Sequence, residues 1–202
     1  MKSIAYLFLF IFISSLAVAC EGPAAHIKQG DIYSTDKQWA LAVKEYSRAI
    51  ELDPKNAIAY NDRGLAYNSS GQRVSAVVDF TKAIELDPKY AVAYNNRGLA
   101  YMGLAYRQNA DYVDYNNAIA DYDKAVELDP NYTIAYYNLG LAYIYAEDYD
   151  NAISNYSKAI GLNPNFADAY YSRSLAYHNK GDYNESISDY NKSLELNMTP
   201  AR

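Results

Sequence analysis

KAIELDPKYAVAYNNRGLAY, Lys82 to Tyr101, decides the reading of this 202-residue chain, because variants of it return in whole or in part four more times. Its first half, KAIELDPKY, ends a helical pattern at a proline, whose fixed φ and missing N–H stop an α-helix. Its second half, AVAYNNRGLAY, opens another with small and aromatic residues three and four apart. Each copy is therefore a joint between two helices. The stop prolines Pro54, Pro88, Pro130 and Pro164 follow one another at steps of 34, 42 and 34 residues. A period of this size means stacked helix pairs, each burying its apolar face against the next, so the chain is counted in repeating units and not in globular cores.

The second unit carries the pattern in full: Tyr60, Arg63, Gly64, Tyr67, Ala76, Phe80 and Pro88 stand at the spacing W-x2-L-G-x2-Y, A-x3-F, P. The same places hold Gly30, Tyr33, Ala42, Tyr46 and Pro54, then Tyr94, Gly98, Tyr101, Ala118, Tyr122 and Pro130. They hold Tyr136, Gly140, Tyr143, Ala152, Tyr156 and Pro164 next, and finally Tyr170, Tyr177 and Tyr190. On these residues the chain resembles the tetratricopeptide repeat (TPR) family. It departs from that family where Arg63, Arg97 and Arg173 replace the leucine, and where the last unit has Ser174, Ser186 and Met198.

The resemblance implies an all-α, right-handed superhelical TPR solenoid of five helix-turn-helix repeats. The TPR domain would span residues 23–200, with repeats 23–56, 57–90, 91–132, 133–166 and 167–200. The third is eight residues longer than its neighbours, and the extra residues fall between Tyr101 and Asn116. That stretch has no proline, so helix is expected to continue through it and to lengthen each of the two helices by about one turn.

Residues 1–19 have the layout of a signal peptide: Lys2, an apolar run from Ile4 to Phe12, then Ala17-Val18-Ala19 as an A-x-A cleavage site. Cys20, the only cysteine, stands immediately after that cut. The segment resembles a bacterial lipoprotein signal, although that family prefers leucine where Ala17 stands. This resemblance implies lipidation of Cys20, a short linker over residues 20–22, and a membrane contact through the lipid anchor. Glu21, where a retention signal would have Asp, implies the outer membrane, facing the periplasm. Cleavage without lipidation and an uncleaved N-terminal anchor are the other readings, the second disfavoured by the shortness of the apolar run.

With 18 basic against 24 acidic residues the chain is acidic, and it has no basic run that would release counterions from phosphates, so nucleic acid is not expected as a partner. His26 and His178 are far apart and no second cysteine exists, so neither a metal site nor a catalytic triad is expected, and no cofactor. Glycines 64, 98 and 140 are single and lie mid-helix, where close helix packing explains them better than a phosphate cradle. Arg63, Arg97 and Arg173 are each followed at one repeat place by Asp79, Asp121 and Asp189, which predicts an ion pair between the two helices of those units. The fourth unit changes both places, to Leu139 and Asn155.

What remains is a surface. In TPR arrays the first helix of each repeat lines a concave groove, and the resemblance places there Asn61, Leu65 and Asn68, then Asn95, Asn96, Leu99 and Met102. Tyr137, Asn138, Leu141 and Tyr145 follow, then Tyr171 and Leu175. Asn96 and Asn138 resemble an asparagine ladder that holds peptide backbone, with an Asn-rich exposed face as the plainer alternative. Most of the 24 tyrosines fill repeat packing places; Tyr106, Tyr112, Tyr137, Tyr145 and Tyr171 do not. The expected function is that of a scaffold and not an enzyme. It would bind a protein or peptide segment in the groove and support assembly of a protein complex. The alternatives are an accessory subunit positioning a cell-wall enzyme, and a repeat protein that self-associates through Ile187, Tyr190 and Leu194 of the C-terminal repeat.

Overall fold

The computed structural model describes residues 22–108 and 113–198. These residues form ten helices and no strand: α1 (Pro23–Thr35), α2 (Trp39–Leu52), α3 (Ala57–Ser69), α4 (Arg73–Leu86), α5 (Ala91–Gln108), α6 (Val113–Leu128), α7 (Thr133–Tyr145), α8 (Tyr149–Leu162), α9 (Ala167–Lys180) and α10 (Tyr183–Met198). They pair in order into the five expected repeats. Between repeats the Asp-Pro or Asn-Pro joint folds into the same turn each time. The side chains of Asp53, Asp87, Asp129 and Asn163 accept the backbone N–H two residues on, at 3.0 to 3.2 Å. That bond competes with helix continuation, and the proline beside it supplies no donor to resume the helix.

Each joint buries a large ring between small residues. Tyr46 lies between Ala42 and Ala66, Phe80 between Ala76 and Ala100, Tyr122 between Ala118 and Ala142, and Tyr156 between Ala152 and Ala176. The second alanine of every set comes from the following repeat, so no repeat completes its own core. The repeat glycine lets the two helices of a pair close on that ring. A Cβ placed on Gly64 would stand 2.7 Å from Phe80, and one on Gly140 would stand 2.8 Å from Tyr156. In the fifth repeat Ser174 occupies the glycine place and no sixth helix pair is described beyond it. The ring there, Tyr190, is 45% exposed where Tyr156 is 0% exposed. Tyr190 thus departs from the packing role that the repeat pattern gives it, because its cover is supplied by a neighbour.

Repeat three is longer on both sides of its internal turn. The first helix, α5, has 18 residues where α3 and α7 have 13, and α6 has 16 where α4 and α8 have 14. Both helices are thus longer than their counterparts in repeats two and four, and residues 109–112 between them lie outside the described residues.

Three arginines cross-link the stack as the spacing predicts. Arg63 donates from Nε and Nη2 to the two carboxylate oxygens of Asp79 at 2.7 and 2.8 Å, and Arg97 does the same to Asp121 and Arg173 to Asp189. The third nitrogen, Nη1, donates to a hydroxyl of the preceding repeat: Ser47, Thr81 and Ser157 respectively. Each guanidinium therefore ties its own helix pair to the pair before it. The tyrosines one turn before Arg63 and one turn after it, Tyr60 and Tyr67, hold their ring centres 5.6 and 6.0 Å from the guanidinium carbon. In repeat one the corresponding carboxylate, Glu45, is met by His26 Nδ1 at 2.7 Å.

Candidate protein-binding groove

Every first helix touches the first helix of the next repeat, whereas no second helix touches another second helix among the described residues. Spacing is therefore shorter along the first helices, and the array curves with α1, α3, α5, α7 and α9 on its inner side. Two rows of aliphatic side chains run across that inner side. Leu65, Leu99, Leu141 and Leu175 form one, and all but the half-buried Leu141 are exposed. Ile58, Val92 and Ile134 form the other, also exposed, seven residues earlier on the same helices. The second row was missed in the sequence, although residues seven apart fall on one helical face and the spacing would have revealed it.

Between these rows lies a chain of amides. Asn96 Nδ2 donates to Asn61 Oδ1 at 2.9 Å, Asn138 Nδ2 donates to Asn95 Oδ1 at 2.9 Å, and Asn95 Nδ2 reaches Asn96 Oδ1 at 3.3 Å. All four are buried. Their side chains bond one another where adjacent first helices meet, so little of them reaches the surface of the groove. Where repeats four and five meet, Tyr137 takes the place of Asn61 and its hydroxyl lies 3.3 Å from Ser172 Oγ. The Tyr137 ring packs at 5.6 Å from Tyr156 and 5.0 Å from Phe166, so it serves the joint and is half-buried there.

The remaining candidates divide. Tyr171 is 46% exposed and leans on Tyr190, and Leu175 beside it is 45% exposed. Tyr145 is exposed and stacks flat on Tyr115, ring centres 5.3 Å apart. Met102 packs on the joint around Tyr122, and Asn68 is half-buried near the end of α3. Cys20, Tyr112 and the side chain of Tyr106 lie outside the described residues.

Sequence profiles of the TPR repeat match residues 30–71, 66–105 and 114–146, and profiles of the tetratricopeptide repeat match residues 133–166 and 167–198. The chain belongs to the TPR family. A crystal structure of MamA is similar at 31% identity and a TM-score of 0.73, covering 83% of this chain and 94% of that one. YrrB, described as a TPR protein with an unusual peptide-binding site, is similar at 22% identity and a TM-score of 0.69, covering 92% of this chain and 91% of its own. A thermophilic TPR protein of Thermus thermophilus is similar at 20% identity and a TM-score of 0.71, covering 87% and 91%. The latter two likenesses concern the fold. No curated protein matches the sequence.

TPR proteins are typically interaction scaffolds without catalytic activity, and the groove of this one has the chemistry of a contact surface. From Ala91 to Ala105 the only charged side chain of α5 is Arg97, already paired, and α7 carries no charge at all. The middle of the inner face therefore presents aliphatic side chains over satisfied amides, a floor that gains by excluding water and offers few groups to hydrogen-bond. No group of His, Cys, Asp and Glu among the described residues could hold a metal ion, and no described helix is long and apolar enough to cross a membrane.

Proposed function

We propose that this TPR protein is an exported, lipid-anchored scaffold that holds a segment of another protein in its groove and so supports assembly of a protein complex. The observation that carries the binding role is the pair of aliphatic rows exposed on the inner side, with Tyr171 and Tyr145 beside them. Exposed aliphatic rows of this extent mark interaction surfaces in soluble chains. The peptide-binding site ascribed to YrrB is consistent with such a use. Export and anchoring rest on the sequence alone, on the signal-like residues 1–19 and the single thiol of Cys20. Anchoring by acyl chains at that position would hold the array close to the membrane, since Pro23 already begins α1.

The binding role is tested by replacing Tyr171 and Leu175 together with alanine. Both are nearly half exposed, so the melting temperature is expected to change little, whereas capture of the partner taken by the wild-type chain falls by about 2 kcal/mol or more. Unchanged capture by a folded variant would move the site off this face. Mass spectrometry of the mature N-terminus tests the anchor, and an unmodified Cys20 on a chain found free of the membrane would overturn it. A second reading is favoured by the exposed Ile187, Tyr190 and Leu194 of α10, which suit self-association through the last repeat. A sedimentation profile that shifts with concentration, and ceases to shift when Ile187 and Leu194 become serine, would support it.

A further inference from the structure

The apolar floor of the groove ends on carboxylates. Traced back one repeat, the row of Leu65, Leu99, Leu141 and Leu175 begins at Asp31 of α1, at the same repeat place and exposed. Beside it, Asp62 of α3 takes the place that Asn96 and Asn138 hold in the amide chain. Those amides donate to the preceding repeat, to Asn61 and Asn95, whereas Asp62 accepts the Asn61 amide at 3.1 Å and the residue at the corresponding place of the preceding repeat is Ile27. The Asp31 carboxylate accepts the Tyr46 hydroxyl at 2.8 Å, which fixes it at the mouth of the first joint. Burial is the main reason that the Asp62 carboxyl is pushed up to about 6, and the Asp31 carboxylate adds to it. At the far end, the row of Ile58, Val92 and Ile134 terminates at the exposed Asp168 of α9. Arg63, next to Asp62 in sequence, is held by Asp79, and Lys28, one turn before Asp31 on α1, is exposed.

We infer that the segment bound in this groove joins bulky apolar residues to lysine or arginine, with a basic residue seated over Asp31 and Asp62 and a second position for one at Asp168. This rests on the groove reading above and gives it a chemistry. Among the described residues neither carboxylate takes part in an ion pair, and a bound ammonium or guanidinium supplies the missing cation. The uncharged stretch from α5 to α7 in between accepts aliphatic and aromatic anchors and penalises any charge placed there, which would be desolvated without a partner. First helices about 10 Å apart make the floor roughly 30 to 40 Å long. An extended segment of about 12 residues spans that length. A partner with an acidic tail is excluded by the same arrangement, since it would meet carboxylates at both ends.

The test pans phage displaying random peptides of about 12 residues against the full chain held in detergent. The expected peptides pair large apolar residues with Lys or Arg. A synthetic copy of one of them should lose about tenfold in affinity against the Asp31→Asn, Asp62→Asn variant, and as much when its own basic residue becomes Glu. Its affinity for the wild type should also fall with added salt. The variant keeps the hydrogen-bond acceptors for Tyr46 and Asn61, and Asn at position 62 repeats what repeats three and four already carry. The Lys-to-Glu peptide needs no altered protein, so a folding defect in the variant leaves the comparison intact. Apolar peptides without basic enrichment, bound equally by wild type and variant, would overturn this inference and leave the groove standing. Failure to select any peptide would overturn both.

Discussion

Repeats two, three and five seat an arginine at the centre of their stack, and repeat four seats Leu139 at the same place. Around the arginines the structure supplies a carboxylate from the partner helix and a hydroxyl from the preceding repeat. Around Leu139 both are changed together: Asn155 stands where the carboxylate would be and Asp123 where the hydroxyl would be. Leu139 is buried against Tyr122 and Ala118, while Asn155 turns away to donate to the Asn151 carbonyl at 2.9 Å. The stack continues through repeat four undisturbed. What a joint requires is a filled place whose polar groups are all answered, and either an ion pair with its hydroxyl or a leucine meets that requirement. Desolvating the ions offsets most of their attraction, so the two solutions are similar in free energy while half of one is not.

That equivalence predicts the largest effect. Asp79→Ala leaves Arg63 among rings with only the Ser47 hydroxyl, and should cost about 3 kcal/mol in urea unfolding. Arg63→Leu with Asp79→Asn rebuilds repeat two in the pattern of repeat four, and should return the protein to within about 1 kcal/mol of the wild type. Ser47 keeps its bond to the Val43 carbonyl, so the change orphans no donor there. A double variant as unstable as Asp79→Ala would show that the arginine is required and that repeat four is tolerated for another reason.

The arginine pairs were legible in the sequence because both partners recur at fixed places, so like could be compared with like. The amide chain was not, for a physical reason. Asn61 meets Asn96, and Tyr137 meets Ser172, 35 residues on, whereas equivalent places are 34 apart. The contact joins two different places of successive repeats, and a comparison by place passes over it. Whether Tyr137 faces a ligand or a joint depends on what Phe166 and Ser172 present across the boundary, which its own helix does not reveal. The exposure of Tyr190 depends on what covers it, and in the earlier repeats that cover is an alanine of the next repeat, which the ring's own helix does not reveal.

Asp62 sharpens the same comparison at smaller magnitude. It is a polar group of the stack without the partner that its counterparts have. Its carboxyl is pushed up from the ordinary 3.8 to about 6, first by burial and then by Asp31, against the lowering effect of the Asn61 amide. A carboxyl whose folded value lies above its unfolded one favours the folded state when protonated. That contribution is complete below about pH 4 and is lost as pH rises through 6. Asp62→Asn should therefore stabilise the protein at pH 7 by about 1 to 2 kcal/mol, after allowance for its partial exposure, with the gain gone near pH 3.5. A gain independent of pH would assign the effect to packing.

The smallest expected effect lies in the turns within repeats. Residues at the same place there are Lys37, Gly71, Glu147 and Gly181, and all four are left-handed, with φ of 57°, 83°, 57° and 92°. Nothing stands within 4 Å of a Cβ built on Gly71 or Gly181, so the glycines answer to the backbone and not to crowding. A residue with a Cβ pays about 1 to 2 kcal/mol to hold this conformation. Glycine avoids that cost but loses more chain entropy on folding, by roughly 0.5 to 1 kcal/mol. Lys37→Gly and Glu147→Gly should each raise the free energy of urea unfolding by the difference, about 0.5 to 1 kcal/mol, through a higher midpoint at unchanged slope. Gly71→Ala should lower it by a similar amount. Because neither side chain takes part in the arginine stack or the groove, the gains should add to that of Asp62→Asn. A shortfall in the sum would mean that the turn and the first-helix face are coupled through the repeat.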